Sequence, residues 1–465
     1  MVGAAAGLGH LTGDATDGVA CPACRAPLCL ATEVSHCVGC GADYPSLGGV
    51  PCLLPDPAGF VATWRRRLAV MTTEGRRTIE MFEAQARKPA LLASTRTRLE
   101  AQARIAAHAL EDVTTHLRTA VGEPLHDDRP VPPFTPLDTL HFLFRDWGWP
   151  DSDENERAFA AVQAVLPPRL GRTLVLGCGG ARLADDLHRA GATQTWALDI
   201  DPFVLVLARR VLAGQTVPLL EGRANATDLD ALSAVRELRL PKGRPPASGV
   251  RLVLGDGLDP PFSDAVFDTV VTPWFIDVVP ADLRDFLPRL ARLLAPGGHW
   301  INFGPLLYPA HRPASVQFSW QEVSDLAARV GLATEAREEV ALPFARSTLT
   351  GRGRIESCTS FRARRGPPRP AMPGEPPSWL VFASLPIPRE VAECRPTSAV
   401  ARRIVVRIDG ERSIDDLAAE LGRSTPATPL AVVKDAVREC LARLIESTEP
   451  SRISHAAGMN GHAGD

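Results

Sequence analysis

The spacing of hydrophobic positions changes along this chain. From about residue 60 to 121, apolar residues recur at helical spacing and leave arginines on the other face, which predicts a helical layer packed on the next domain. The members of this face are Leu92, Leu99, Ala106, Leu110, Val113 and Leu117. From about residue 137 to 365, short apolar runs alternate with segments of helical length, and the strand candidates are residues 173–176, 195–198, 267–272 and 300–303. The alternation predicts an α/β fold with a doubly wound, mostly parallel sheet.

Segments rich in proline and glycine divide the chain into modules. Small polar residues predict disorder at residues 1–20 and in a tail at 449–465. Between these ends, we expect a cysteine-rich module, a helical region with a Pro-rich connector, an α/β domain, a linker and a last module, at residues 21–57, 58–136, 137–365, 366–378 and 379–448. Such a division suits a chain of 465 residues, which is too long for one ordinary domain. Within the α/β domain, residues 215–249 contain Pro and Gly breaks and are interpreted as an insertion.

The last module has its own helical pattern. Ser413, with Asp416 three positions on, predicts the N-cap of a helix, and a further helix carries Val433, Val437, Leu441 and Leu444 on one face. The module resembles the small winged-helix peptide-binding domain of the pyrroloquinoline quinone pathway. The resemblance implies a small α+β domain with a possible peptide partner, which would add a strand to the wing. The alternative is an interaction or stabilising domain with no set partner.

Composition limits the classes of partner and the cellular compartment that we expect for the protein. The hydrophobic content of 45% is sufficient for a large core, and a formal net charge of −3 gives no general reason to expect a nucleic acid or an anionic membrane as partner. The chain lacks a run of about 18 apolar residues and a basic N-terminal leader, so neither a spanning helix nor a signal peptide is expected. Six of the ten cysteines lie between Cys21 and Cys52, which favours a reducing cytoplasm with one local metal site.

Four of these cysteines form two Cys-x-x-Cys pairs, Cys21 with Cys24 and Cys37 with Cys40. Four thiolates on two tight turns can close a tetrahedral shell around Zn²⁺, and a small module with little core needs such a metal to fold. The spacing therefore predicts a structural zinc site held by these four residues. The alternative is an unmetallated or redox-active cluster.

The rest of the cysteine-rich module supports the zinc interpretation. Cys29 and Cys52 lack the pair spacing and are interpreted as packing residues. With the continuation at residues 44–56, the module resembles the zinc ribbon that serves as a small activator subunit of several RNA and protein methyltransferases, or is fused to the N-terminus of others.

A glycine turn and an acidic residue predict a cofactor site. Gly177 and Gly179 follow the first predicted strand and precede a helix, so the backbone can approach a ligand closely and the helix N-terminus offers N–H groups. Asp199 lies 22 residues after Gly177, where a carboxylate can accept both ribose hydroxyls. The last glycine of a dinucleotide-binding motif is replaced by Arg182. A glycine turn in an ordinary α/β sheet is the alternative.

The arrangement of later motifs resembles the class I S-adenosylmethionine methyltransferases. Asp256 and Gly257 come after a third strand, and Asp268 lies at the start of a fourth. The resemblance implies S-adenosylmethionine as the cofactor, with Asp256 at the adenine amino group. Its site would also include Gly177, Gly179, Asp199 and Gly257.

Two motifs then resemble the carnosine N-methyltransferase family, whose members methylate an imidazole nitrogen. They are Trp274-Phe275-Ile276-Asp277 and Pro305-Leu306-Leu307-Tyr308. The resemblance implies catalytic roles for Asp277, which would face the substrate imidazole, and for Tyr308. An aspartate that accepts the hydrogen bond of one ring N–H fixes the tautomer and makes the other nitrogen a better nucleophile. The alternative is that Asp277 only holds a loop.

A segment before the first strand extends this resemblance. Arg145 is followed by Asp146 and Trp147, as in the family segment whose arginine reaches the cofactor carboxylate. A guanidinium can bind a carboxylate through two hydrogen bonds, which suits that role.

The chain also departs from the family pattern. Pro309 stands where the family has a histidine, and residues 354–358 lack the family's tyrosine cluster. The sequence therefore predicts a cytoplasmic N-methyltransferase acting on an imidazole nitrogen of a histidine-containing small molecule, dipeptide or peptide, and does not fix the acceptor. An RNA methyltransferase is the second hypothesis, opposed by the lack of clustered basic and aromatic residues. A non-catalytic, cofactor-sensing scaffold is the third.

Overall fold

A computed structural model describes residues 18–131, 136–222, 229, 232–347, 349, 353–396 and 398–446. Most of the two ends for which disorder is predicted therefore lies outside the described residues. Of residues 18–20, Val19 and Ala20 form isolated bridges to Phe262 and Pro27.

The strands and helices alternate through the middle of the chain. The strands are β1 (Val34–His36), β2 (Asp43–Leu47), β3 (Val50–Leu53), β4 (Arg172–Leu176), β5 (Gln194–Asp199), β6 (Val217–Gly222), β7 (Ser233–Leu238), β8 (Val250–Gly255), β9 (Phe267–Pro273), β10 (Leu294–Gly304), β11 (Leu332–Phe344) and β12 (Arg354–Arg365). The helices are α1 (Pro57–Ala86), α2 (Ala93–Val121), α3 (Pro136–Leu143), α4 (Glu154–Gln163), α5 (Arg182–Arg189), α6 (Pro202–Leu212), α7 (Leu283–Leu293), α8 (Trp320–Arg329), α9 (Ser378–Val381), α10 (Ala399–Val405), α11 (Ile414–Gly422) and α12 (Leu430–Glu446). A π-helical turn, Phe144–Gly148, continues α3.

The central sheet confirms the predicted doubly wound fold. Ten strands lie in the order β1-β2-β3-β8-β5-β4-β9-β10-β12-β11, and β8, β5, β4, β9 and β10 pair in parallel. From β8 onward, this is the strand order of a class I methyltransferase. The predicted strand at residues 173–176 corresponds to β4, whose last four residues are fully buried because both faces of a doubly wound sheet are covered.

The predicted insertion at residues 215–249 forms a separate antiparallel pair. β6 and β7 pair from Val217 opposite Leu238 to Gly222 opposite Ser233. This hairpin lies between α6 and β8 in the chain and forms a sheet of its own.

The predicted helical layer consists of α1 and α2, which pack against each other. Leu99, Val113 and Leu117 are buried as their spacing predicts. Leu92, for which the spacing predicts the same face, is 74% exposed. It lies at the N-cap, before the first residue of α2, so the helical period does not extend to it.

The cysteine-rich module is continuous with the main sheet. β3 pairs in parallel with β8, with Cys52 opposite Leu254 and Leu53 opposite Gly255. β2 and β1 then extend the sheet in antiparallel fashion beyond β3. The backbone hydrogen bonds of this edge therefore connect the cysteine-rich module directly to the strand that precedes Asp256.

The described residues divide into two compact units. The first contains the chain up to Val278, Leu293–Leu307 and Glu335–Arg362, and the second contains Val279–Arg292, Tyr308–Thr334 and the chain from Ala363 on. Among the described residues, no helix is long and apolar enough to cross a membrane.

Within the second unit, the C-terminal helices have a core of their own. Ile387, Ile414, Leu417, Val437 and Leu441 belong to one buried cluster. The predicted capping box is present at the start of α11, where Ser413 and Asp416 bond reciprocally. Within residues 379–396 and 398–446, β-type backbone pairing is limited to one isolated bridge, between Pro386 and Ser413. The wing of a winged helix is a β-hairpin, so the winged-helix resemblance and its peptide partner remain expectations.

The C-terminal part of the chain contacts α7 and α8 through polar groups. Lys434 Nζ lies 2.8 Å from an oxygen of Asp285, and Arg329 donates to the carbonyl oxygen of Pro376 at 2.6 Å. Because the buried cluster is internal to the C-terminal helices, ending the chain at Arg365 should leave binding of S-adenosylmethionine nearly unchanged. Calorimetric titration of the shortened and full-length proteins tests this, with Lys434→Ala in the full chain as a control. Loss of binding with an unchanged circular dichroism spectrum would show that the last module belongs to the cofactor-binding unit.

Candidate functional site

Four parallel strands end at one edge of the sheet, and each is followed by a residue that the sequence singled out. β4 leads into Gly177, β5 ends at Asp199, β8 leads into Asp256 and β9 leads into Trp274. The carboxyl ends of strands in an open α/β sheet form the usual ligand-binding crevice. The fold therefore brings the glycine turn and the acidic residues to a common edge.

The glycine turn is fixed by the neighbouring strand. The N–H groups of Gly177 and Cys178 donate to the carbonyl oxygen of Leu198 at 2.9 and 3.0 Å. Gly177 and Gly179 have φ values of 69° and 52°, in the region that favours glycine. A Cβ added at Gly179 would meet no atom within 4 Å, so there is open space beside the turn for a ligand.

Asp199 connects this turn to β5. Its Oδ2 accepts the N–H of Gly179 at 2.8 Å, and its Oδ1 accepts the N–H of Asp201 at 3.0 Å. Burial raises the pKa of Asp199, while these backbone donors lower it. Burial, followed by the charge of Asp199, raises the pKa of Asp201 to about 7. The Asp199 carboxylate is thus held in a defined orientation next to the open side of the glycine turn.

Two glycines leave room for the Phe275 ring. A Cβ at Gly177 would lie 2.6 Å from the Phe275 ring, and one at Gly257 would lie 2.7 Å from it. Asp256 accepts the N–H of Leu258 at 2.8 Å, which fixes the loop that contains Gly257. One aromatic ring therefore packs between the turn after β4 and the loop after β8.

Arg145 lies on the π-helical turn and faces aromatic rings. Its Nε donates to Asp146 Oδ1 at 2.8 Å. Its guanidinium lies 5.0 Å from the centroid of the Trp274 ring and 5.7 Å from that of Phe344. Trp147 Nε1 donates to the carbonyl oxygen of Gly180 at 2.7 Å, which attaches this turn to the glycine turn. The arginine expected to reach the cofactor carboxylate therefore also contacts the Trp274 motif.

Asp277 lies where the two methyltransferase motifs meet. It is only 2% exposed, and its Oδ2 accepts the N–H of Leu307 at 2.9 Å. Trp274 has a φ of 43° and donates its N–H to the carbonyl oxygen of Phe303 at 2.7 Å. Asp277 does hold a loop, as the alternative hypothesis required. A carboxylate has about four lone-pair positions, so this bond is compatible with accepting an N–H from a substrate.

Glu356 lies beside Trp274 at the candidate site, and the sequence analysis did not indicate it. It is 2% exposed, and its Oε2 accepts Trp274 Nε1–H at 2.9 Å while its Oε1 accepts Arg354 Nε–H at 2.6 Å. Burial raises the pKa of the nearby Cys358 thiol to about 12, and the charges of Glu356 and Asp277 add to the effect. The only sequence signal was that this segment replaces the tyrosine cluster of the carnosine N-methyltransferases.

Tyr308 belongs to the second unit and is described within it. The Arg312 guanidinium lies 5.6 Å from the centroid of its ring. Arg312 also donates to the carbonyl oxygens of Val279 and Ala281. The catalytic role inferred for Tyr308 from the sequence stays a prediction.

The four predicted zinc ligands form one cluster. The Sγ atoms of Cys21, Cys24, Cys37 and Cys40 all lie within 4.8 Å of one another. In each pair, the N–H of the fourth residue after the first cysteine donates back to that cysteine's carbonyl oxygen, at 2.9 and 2.8 Å. This geometry fits the tetrahedral thiolate shell that Zn²⁺ prefers.

The two remaining cysteines of the module differ from each other. Cys52 is fully buried on β3, as expected for a packing residue. Cys29 is exposed, so its interpretation as a packing residue is wrong. Cysteine is usually buried, but position 29 lies in an irregular segment, where the sequence offers no periodicity that would place it inside.

The first cysteine turn contacts the loop that follows Asp256. Arg25 donates to the carbonyl oxygen of Pro260 at 3.0 Å and pairs with Asp259 at 2.7 Å. It has a φ of 63°, which is unfavourable for a residue with a side chain. The N–H of Ala20 adds a bond to the carbonyl oxygen of Pro261 at 2.9 Å. The cysteine-rich module therefore supports the loop on which Asp256 and Gly257 lie.

Comparisons with known proteins found similarity in the α/β domain. Residues 137–350 match the family model described as carnosine N-methyltransferase. A carnosine N-methyltransferase from Dictyostelium discoideum is 27% identical over 210 residues, which cover 40% of this chain and 44% of that protein. One from Rattus norvegicus is 30% identical over 226 residues, covering 44% and 56%, and one from Mus musculus gives the same values. The chain thus spans about half the length of the curated relatives it matches, and its α/β domain, which carries Asp199 and Asp277, is similar to theirs.

Proposed function

We propose that this chain is an S-adenosylmethionine-dependent N-methyltransferase that acts on an imidazole nitrogen of a histidine-containing small molecule, dipeptide or peptide. The observation that carries the proposal is the buried Asp277 carboxylate. It is held by the Leu307 N–H at the sheet edge where the glycine turn and Asp199 also lie. The similarity of residues 137–350 to carnosine N-methyltransferases agrees with this chemistry.

The cofactor would supply a methyl group bound to a positively charged sulfur. Asp199 would accept the ribose hydroxyls, and the open side of the turn at Gly177 and Gly179 would contain the methionine part. Asp256 would accept a hydrogen bond from the adenine amino group. Arg145 would bind the methionine carboxylate with its guanidinium, because such a pair can be bidentate.

Asp277 would orient the methyl acceptor. By accepting the N–H of one ring nitrogen, it would hold a neutral imidazole in the tautomer whose other nitrogen has a free lone pair. Little acid–base assistance is needed, because free imidazole is largely neutral at pH 7. As the ring becomes positively charged during methyl transfer, the buried Asp277 and Glu356 carboxylates would stabilise the charge. Fixing the two reactants in line would supply much of the rate.

The cysteine cluster would bind a structural Zn²⁺. All four coordination positions would be occupied by thiolates, so the metal would have no open position for catalysis. Its proposed role is to keep the turn after Cys21 folded, from which Arg25 contacts Asp259 and Pro260.

Replacement of Asp277 tests the proposed acceptor site. Asp277→Ala should abolish most methyl transfer to a histidine dipeptide and leave S-adenosylmethionine affinity nearly unchanged, because the contact is to the acceptor. Asp277→Asn should also be largely inactive, since a neutral amide accepts a hydrogen bond more weakly than a carboxylate. Turnover with methyl-labelled cofactor and calorimetric cofactor binding are the measurements.

The position of the methyl group on the product also tests the proposed acceptor site. Product analysis should place the label on a ring nitrogen. Wild-type turnover in Asp277→Ala, or a label on oxygen, carbon or a nucleobase, contradicts the proposal. Transfer to RNA rather than to dipeptides would favour the RNA methyltransferase hypothesis.

Replacement of Asp199 tests the cofactor site. Loss of hydrogen bonds to a charged acceptor costs about 1.5–3 kcal/mol, so Asp199→Ala should weaken S-adenosylmethionine binding about ten- to a hundredfold. Asp268 is a matched control, because it is an exposed carboxylate at the opposite end of β9. Calorimetry should show near-normal affinity for Asp268→Ala. Equal affinities of the two variants would mean that Asp199 does not contact the cofactor.

Metal analysis tests the cysteine cluster and its support of the cofactor loop. Elemental analysis should find one zinc per chain, and Cys24→Ser or Cys40→Ser should remove it. Arg25→Ala should retain the zinc and still weaken cofactor binding, because the contacts with Asp259 and Pro260 are lost. A wild-type protein without zinc would remove the metal proposal, and unchanged cofactor affinity in Arg25→Ala would remove the proposed support.

A further inference from the structure

A cavity of 570 Å³ lies in the first unit, next to the Trp274 end of the proposed acceptor site. Its walls are mainly apolar and include Leu140, Phe144, Trp149, Leu220 and Phe344. They come from the π-helical turn and its approach, from β6 of the insertion and from the end of β11. The volume falls within the range of pockets that bind whole small ligands, about 300–1,000 Å³.

The two charged residues of opposite sign that line this cavity, Glu221 and Arg354, each have an ion-pair partner outside its lining, Arg236 and Glu356. Glu221 is 5% exposed, and its Oε2 accepts Arg236 Nε–H at 2.5 Å and Trp149 Nε1–H at 3.2 Å. Its Oε1 accepts the hydroxyl of Ser347. A carboxylate with an arginine and two further donors is a poor site for a cationic ligand group. The cavity therefore favours an uncharged, apolar occupant.

The cavity shares a wall with the proposed methyl-transfer site. The ring centroid of Phe344 lies 5.5 Å from that of Trp274, which comes three residues before Asp277. Arg354 also lines the cavity, lies 4.6 Å from the Phe344 centroid and pairs with Glu356. The cavity thus lies next to Trp274, and a group attached to an imidazole at Asp277 would extend toward it.

We propose that this cavity binds a bulky apolar or aromatic side chain of the methyl acceptor. The inference rests on the proposed function and names its substrate class, which is histidine-containing dipeptides or short peptides with a large apolar residue next to histidine. Burial of one such side chain should increase affinity about ten- to a hundredfold over a glycine at the same position.

The first experiment compares two dipeptides with the full-length protein. L-phenylalanyl-L-histidine and glycyl-L-histidine are titrated calorimetrically in the presence of S-adenosylhomocysteine, and both are then assayed with methyl-labelled S-adenosylmethionine. The phenylalanyl dipeptide should bind at least about tenfold more tightly and have a correspondingly lower KM. Equal affinities for the two dipeptides overturn the proposal, and this result does not depend on any variant folding correctly.

Two alanines of α2 provide a matched pair of variants. Ala109 lines the cavity, whereas Ala107 is exposed on the same helix. Ala109→Phe should fill part of the cavity and remove most of the preference for the phenylalanyl dipeptide, with little change for glycyl-histidine. Ala107→Phe should retain the preference. Retention of the preference in Ala109→Phe, or an equal loss of both dipeptides, overturns the assignment of this cavity.

The two readouts separate this inference from the proposed function. The phenylalanyl dipeptide could bind more tightly and lose that advantage in Ala109→Phe, yet not be methylated. That result would support the cavity assignment and contradict imidazole methylation. If both dipeptides are methylated on a ring nitrogen with equal KM, the result supports the proposed function and contradicts the cavity assignment.

Discussion

The parallel pairing of β4 with β5 and β9 is the constraint on which the candidate site depends. Because β4 and β5 are in register from Arg172 opposite Gln194 to Leu176 opposite Leu198, the turn after β4 necessarily meets the end of β5. The Leu198 carbonyl and the Asp199 carboxylate then bind successive N–H groups of the glycine turn. A one-residue shift of this pairing would separate the turn from its carboxylate and turn buried strand residues toward the opposite face.

The cysteine-rich module also positions a loop through strand pairing, at the edge of the sheet. Its strand β3 pairs with β8, and Arg25 contacts the loop after β8. A four-cysteine cluster and a sheet edge therefore act together on the loop that contains Asp256. This arrangement explains why Arg25 keeps an unfavourable backbone conformation, since its side chain is fixed by Asp259 and Pro260 on the partner loop.

At the proposed acceptor end of the site, this chain departs from the carnosine N-methyltransferase pattern described for the sequence. In place of a tyrosine cluster it has Glu356, buried against Trp274 and paired with Arg354. Beside them lies an apolar cavity whose Glu221 carboxylate is neutralised by Arg236. The presence of Asp277 among changed neighbours agrees with the proposed methyl transfer to an acceptor that carries a large apolar group.

The amino-acid sequence was sufficient to predict the central parallel strands, the glycine turn and the four-cysteine motif, because period, strand length and Cys-x-x-Cys spacing are local properties of the chain. It also indicated Asp277 and Leu307 as parts of two motifs, whereas the hydrogen bond between them is visible in the folded chain alone. The pairing of β3 with β8, the burial of Glu356 and the cavity beside Phe344 were decided by contacts between segments far apart in the chain. No local pattern encodes such contacts, since burial and partners depend on which elements meet after folding.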